Sequence, residues 1–231
     1  MSLSVIIPSR TMENVVPCVE AVRRHNPGCR IFVIDDGLAD RSLVDAITID
    51  GAKPFIFARN CNIGIIAAGP DDDVILLNDD ALLETPGGFD AMQAHALAPD
   101  YGLISATTNM AGNAAQYRVS AVGIDNKPVA RGVRWCRTTP GNSVPVVAFV
   151  CVLIPRRTIQ AIGLLDQRFD KYGYEDNDYC RRVHNAGLVI GICDGCFVDH
   201  KKLKSTFRGN PEMPGQIEAG RKIYLEKWGS M

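Results

Sequence analysis

Three groups of residues in this 231-residue chain could do chemistry together. Glu175, Asp176 and Asp178 crowd three carboxylates into four positions. The chain then enters a helical pattern, with Tyr179, Cys180, Val183 and Ala186 on one face and Gly187 as the stop. One carboxylate would suffice to cap a helix; three repel one another, a cost a fold bears more readily where a cation or a proton transfer needs them. Asp79-Asp80 directly follows the apolar run Val74-Ile75-Leu76-Leu77. With no glycine-rich phosphate loop nearby, that placement suits a hard divalent ion, Mn²⁺ or Mg²⁺, which takes one or two protein carboxylates and completes its shell with phosphate oxygens. His200 follows Phe197-Val198-Asp199 and could add an imidazole ligand, a choice that favours Mn²⁺. Taken singly, the aspartate pair reads as a solvated loop and the histidine as a surface residue among lysines.

The elements that must position these residues follow from the apolar pattern. Ser4–Ile7, Ile31–Ile34, Phe55–Phe57 and Val74–Leu77 read as buried strands; Val15–Arg24, Leu43–Ile47 and Ile65–Ala68 read as intervening helices. Such alternation implies an α/β fold with a mostly parallel central sheet flanked by helices, right-handed connections, and ligands beyond the carboxyl ends of the strands. Ser9-Arg10, Asp35-Asp36 and Asp79-Asp80 each end an apolar run, so all three should converge on one crevice. The second half is less regular. It suggests loops or a hairpin carrying Trp135, a strand at Val146–Ile154, a helix at Thr158–Ile162, short strands at Leu188–Ile190 and Cys196–Val198, and a last helix over Gln216–Trp228. One domain over 1–231 is expected, with a soft division near residue 107 between a nucleotide-sugar-binding half (1–107) and a smaller, mixed acceptor-binding and catalytic half (108–231).

A net charge of −1 argues against nucleic-acid binding by bulk electrostatics. No apolar run approaches a membrane span and no signal-peptide layout opens the chain. The eight cysteines are scattered, several inside apolar runs, as suits buried reduced thiols and a soluble, cytoplasmic protein.

A family resemblance joins these pieces. Ser4–Arg10, Val33–Gly37, Arg59–Gly64, Leu76–Asp80, Gly163–Phe169, Tyr174–Tyr179, His200 and Lys227–Gly229 stand in an order that resembles the family 2 glycosyltransferases of the GT-A fold, closest to the rhamnosyltransferase-like branch. The resemblance implies a metal-dependent, inverting transfer from a nucleoside-diphosphate sugar (UDP-, dTDP- or GDP-linked) to an acceptor hydroxyl. It implies that Pro8, Ser9 and Arg10 line the nucleotide pocket, with Asp36 near the ribose or base and Asp35 close by. Asn62 and Gly64 would border the nucleobase and diphosphate, and Asp79 would orient the donor. Asp80 and His200 would hold the metal; the motif here reads Asn78-Asp79-Asp80, without an acid at its first position. Asp176 matches the general base, and Glu175 would meet the acceptor or orient the base, leaving Asp178 to the helix start. The acceptor could be a glycan, a lipid-linked sugar or a protein, and the basic stretch of Lys201, Lys202, Lys204 and Arg208, a solvated loop or a lid over the diphosphate, leaves even a nucleic-acid acceptor open.

Other features carry less. Cys193 and Cys196 with His184 and His200 invite a zinc reading, but one Cys-x-x-Cys in apolar surroundings fits buried thiols better. Tyr117 and Trp135 suit an acceptor platform or the core equally, and Arg156-Arg157 reads as a contact to a phosphorylated acceptor or, in preference, a strand-end cap. Two rivals remain: a non-catalytic nucleotide-sugar- or glycan-binding module of the same fold, and a nucleotidyltransferase, which would normally carry a glycine- and lysine-rich phosphate loop in place of Pro8-Ser9-Arg10.

Overall fold

β-branched and leucine-rich runs, each closed by a polar break, form the strands. A computed structural model describes residues 2–117, 119–120, 123–124, 133–136, 138, 143–169, 172–203, 205 and 210–231. In chain order these give β1 (Leu3–Ser9), α1 (Met12–His25), β2 (Arg30–Asp35), β3 (Ile47–Asp50), α2 (Phe57–Ala67), β4 (Asp73–Leu77), β5 (Leu82–Leu83), α3 (Gly88–Ala96) and β6 (Tyr101–Thr108). There follow β7 (Val119–Ser120), β8 (Gly123–Ile124), β9 (Val133–Trp135), β10 (Cys151–Ile154), α4 (Arg156–Ile162), α5 (Glu175–Asn185), β11 (Val189–Asp199) and α6 (Met213–Trp228). None of the described helices is long and apolar enough to cross a membrane.

One nine-stranded sheet carries the fold, in the order β3-β2-β1-β4-β10-β6-β11-β5, with β9 also paired to β11. β1, β2, β3 and β4 are mutually parallel and β6 is parallel to β11; β10 runs against both β4 and β6, while β5 and β9 run against β11. The fold class is therefore the expected α/β one. Both faces of the sheet are covered: Val5, Ile7, Val33, Ile75 and Leu77 pack on the side of α1 and α3, and Ile6, Phe32, Ile34, Val74 and Leu76 pack on the side of α2 and α5. Burial on both faces explains why these strands read as continuous apolar runs rather than alternating ones. Each fully buried side chain of this kind contributes about 1.5–3 kcal/mol. Residue 107, where the two halves were expected to divide, falls inside β6, and the sheet continues across it.

Several local readings need correction. The helix expected at Leu43–Ile47 is a single turn over Arg41–Leu43 followed by β3, because the β-branched run Ile47-Thr48-Ile49 pairs with β2 instead. The strand expected at Phe55–Phe57 is the approach to α2, whose helix takes in Asn60, Cys61 and Asn62. The strand at Val146–Ile154 shrinks to β10, and two expected short strands fuse into the irregular β11. β6 went unread although it lies between β10 and β11; Gly102, Ser105 and Ala106 dilute its apolar signal.

Asn62 and Gly64, expected beside the nucleotide, serve the scaffold. The buried Asn62 amide donates to the Leu165 carbonyl (2.8 Å) and accepts from the Leu165 N–H (3.0 Å), pinning the loop after α4 to α2. Gly64 lies against β1, where a Cβ would come within 2.3 Å of an Ile6 methyl. Asn62→Ala leaves two buried backbone groups unpaired at a cost of about 1–3 kcal/mol. It is expected to lower the thermal midpoint by several degrees; an unchanged melting curve would contradict this structural role.

Candidate active site

The carboxyl ends of β1, β2 and β4 do converge. The Asp36 N–H donates to the Ser9 carbonyl (2.8 Å), and the Ser9 hydroxyl donates to Asp79 (2.6 Å). Burial pushes the Asp79 carboxyl up to about 6; the Ser9 hydrogen bond opposes the shift and the neighbouring Asp80 charge adds to it. Pro8, Ser9, Arg10, Asp36, Asp79 and Asp80 line one cavity of about 480 Å³, which also takes in Lys53. Burial raises the Asp36 carboxyl against the pull of the Arg10 and Lys53 charges. Thus one mouth presents both acidic and basic groups, as a ligand carrying hydroxyls and phosphates would require.

Asp35 does not face this cavity. Its buried carboxylate accepts from the Gly37 N–H (2.5 Å), the Leu38 N–H (2.6 Å) and the Arg41 guanidinium (2.5 Å). Burial alone would raise its pKa, but those three donors together hold it below the ordinary value. Asp35 shapes the turn that presents Asp36, a correction to its expected place at the nucleotide.

Asp80 and His200 come together from distant parts of the chain. The His200 Nε2 lies 2.9 Å from an Asp80 carboxylate oxygen, its Nδ1 lies 2.7 Å from the Met110 carbonyl, and its N–H donates to Asn109 (2.9 Å). The Met110 carbonyl can only accept, so Nδ1 carries a proton. A neutral ring then turns a bare Nε2 lone pair toward a carboxylate, an arrangement that calls for a second proton or a cation between them. A divalent ion fits this donor set: one carboxylate and one imidazole, with the ring oriented by a carbonyl behind it. Among the described residues no cluster of three or more His, Cys, Asp and Glu side chains gathers for a metal, so the remaining ligands would come from phosphate and water.

A second cavity, about 640 Å³, contains Glu175, Asp176 and His200. It shares Phe57, Asn78, Tyr172 and Ser205 with the first, so the two adjoin. Gly173 and Tyr174 both take positive φ (106° and 70°) to turn the chain into α5, an unusual conformation for a tyrosine. The turn aims the Gly173 N–H at Glu175 (2.6 Å), and the Asn177 N–H meets Asp176 (2.8 Å). Burial raises both carboxyls well above their ordinary values, and for Glu175 the Asp176 charge adds to the effect. Glu175 is 7% exposed and engaged by the backbone, whereas Asp176 is only half-buried.

Asp178 does more than start the helix. Its fully buried carboxylate meets Arg182 (3.0 Å), the Trp228 indole N–H (2.9 Å) and the Lys227 ammonium (2.7 Å), tying α5 to α6. Lys227 also reaches Asp166 (2.8 Å), which hydrogen bonds from Arg168 hold well below the ordinary carboxylate range. Gly220 of α6 packs so closely that a Cβ there would lie 2.2 Å from the Gly173 carbonyl oxygen. Thus α6 braces the turn that carries the acidic pair.

The remaining expectations resolve unevenly. Lys202 pairs with Glu84 and Lys201 is exposed, while Lys204, Arg208 and the Trp135 side chain lie outside the described residues. The Tyr117 hydroxyl donates to the Ala111 carbonyl (2.8 Å). Arg157 caps the carbonyls of Ala96, Ala98 and Tyr101. Cys193 and Cys196 are buried in β11, with burial pushing the Cys193 thiol up to about 12, and His184 is exposed on α5. Lys53 and Tyr172 were missed because nothing in their immediate sequence marks them; only the fold brings them to the cavities.

No protein-family model matches the chain. An uncharacterised protein of Sinorhizobium fredii, y4gI, is 24% identical over 207 residues, covering 80% of this chain and 23% of that protein. The solved structure of GalNAc-T7 with UDP, GalNAc and Mn²⁺ superposes with a TM-score of 0.70 at 15% identity, covering 97% of this chain and 47% of that one. The chain therefore spans less than half the length of either. At such low identity the likeness establishes architecture, and the architecture is a GT-A-like glycosyltransferase fold.

Proposed function

We propose that the chain transfers a sugar from a nucleoside-diphosphate donor to an acceptor hydroxyl with inversion at the anomeric carbon. The observation that carries this reading is the pair of adjoining cavities, one bounded by Asp36, Asp79 and Asp80 and the other by Asp176. The GT-A-like fold and the UDP and Mn²⁺ held by the structural neighbour support the nucleotide-sugar donor and the cation in this reading; inversion rests on the placement of Asp176 alone.

In this reading Pro8, Ser9, Arg10, Asp36 and Asp79 hold the donor, with Asp36 accepting from ribose or base and Arg10 and Lys53 offsetting diphosphate charge. A divalent cation, Mn²⁺ or Mg²⁺, held by Asp80 and His200 would neutralise the diphosphate and the charge that grows on it as it leaves. Asp176 accepts the proton of the acceptor hydroxyl as that oxygen bonds the anomeric carbon and the bond to the diphosphate breaks. Attack by the acceptor oxygen from the face opposite the leaving group gives inversion. Glu175, fixed by the Gly173 N–H, meets the acceptor or orients Asp176. The second cavity receives the acceptor, whether glycan, lipid-linked sugar or protein side chain.

Two outcomes are expected. First, nucleoside diphosphate release from UDP-, dTDP- and GDP-sugars should depend on Mn²⁺ and stop in EDTA, and His200→Ala should raise the Mn²⁺ concentration needed for half-maximal rate; undiminished turnover in EDTA would contradict the metal assignment. Second, Asp176→Asn should lower kcat by about 10²–10⁴-fold while leaving donor affinity nearly unchanged. The wild-type rate should fall on acidification as Asp176 protonates, with the midpoint above the ordinary carboxylate range. A carboxyl whose folded pKa is raised binds more protons folded than unfolded, so stability falls as pH rises through that interval. Asp176→Asn should therefore melt higher than wild type at neutral pH; a lower melting point with normal transfer would contradict the base assignment.

A further inference from the structure

Tyr172 occupies a position that neither the donor residues nor the acid pair explains. It lines both cavities, together with Phe57, Asn78 and Ser205. Its ring packs against Phe55 (centroids 5.2 Å apart, planes tilted 39°) and Phe57 (6.1 Å, 35°). These two rings pack against it and line the first cavity with it, while Tyr172 as a whole stays half-buried. An aromatic ring held this way at a junction is a preformed wall rather than a mobile side chain.

The geometry points to Tyr172 as the wall against which the transferred sugar stacks. This inference rests on the donor reading above. A diphosphate in the first cavity and a base in the second require the reacting carbon to lie where the two meet; of the two aromatic residues shared by both cavities, Phe57 is buried and Tyr172 is the more exposed. The C–H bonds on one face of a pyranose carry partial positive charge, which the electron-rich ring face attracts. The ligand class is therefore a pyranose with an uninterrupted C–H face, held by its ring rather than by its hydroxyl pattern. Such a wall would act on the sugar and leave the nucleoside diphosphate untouched. It would also limit how far the sugar can swing toward water.

Calorimetric titration with Mn²⁺ and six probes tests this: UDP, dTDP and GDP, and UDP-glucose, dTDP-rhamnose and GDP-mannose. Wild type is expected to bind one sugar nucleotide more tightly than its bare nucleoside diphosphate. Tyr172→Leu, which keeps an apolar side chain but removes the ring, should weaken that sugar nucleotide by roughly three- to tenfold and leave the nucleoside diphosphate within about twofold. Tyr172→Phe should bind both as wild type does, and the ratio of donor hydrolysis to transfer should rise in Tyr172→Leu alone. Equal weakening of both ligands, or of neither, in Tyr172→Leu would overturn the wall, with Tyr172→Phe as the folded control. A wild-type protein that binds a nucleoside diphosphate but gains nothing from the sugar also overturns it. One that binds none of the six overturns the donor reading beneath it.

Discussion

Two carboxylates sit side by side at the mouth of α5, both with proton affinity raised by burial, and the chain must hold them there against their mutual repulsion. The means are visible in the backbone. Gly173 and Tyr174 turn with positive φ, and the Gly173 and Asn177 N–H groups face the acids. That turn would relax without an external brace, which α6 supplies through Gly220 against the Gly173 carbonyl and through Lys227 and Trp228 on the buried Asp178. Losing one partner of such a buried charged group typically costs several kcal/mol, roughly 3–5. The last helix is thus part of the site although it contributes no acid to it.

The opposite wall is built differently. Parallel strands place Ser9, Asp36 and Asp79 at the carboxyl end of the sheet, and hydrogen bonds among them fix it, with Gly37 at φ 130° in the turn that presents Asp36. Asp80 and His200 then span it from β4 to the end of β11, with the Met110 carbonyl after β6 setting the imidazole. The carboxyl end of the sheet and the mouth of α5 bound two adjoining cavities. The proposed displacement needs its reactants held in register, since misplacement by about 1 Å can cost about 10²-fold in rate.

The first half of the chain was legible because buried parallel strands announce themselves and their ends are marked by polar residues. Ser9, Asp36 and Asp79 could be read as convergent from strand position alone. The pairing of Asp80 with His200 crosses 120 positions and needed the family pattern to be seen. Roles that hang on a single residue's orientation escaped. Asp35 and Asp36 are neighbours of one type, yet the strand alternation turns one into the turn and the other to the cavity. Asn62 and Gly64 share a motif with no local sign that they meet Leu165 and Ile6 rather than a ligand. Asp178 looked like one more acid of a helix start, and its ties to Lys227 and Trp228 arise from a helix about 50 residues later. Tyr172 matters through two cavities that exist only after folding.

The most direct measurement is a crystal structure with a nucleoside diphosphate and Mn²⁺. The account predicts the nucleoside against Asp36, the diphosphate beside Arg10, and the ion on Asp80 and His200, with the second cavity open before Asp176. A nucleotide bound elsewhere, or an ion that ignores both Asp80 and His200, would contradict it.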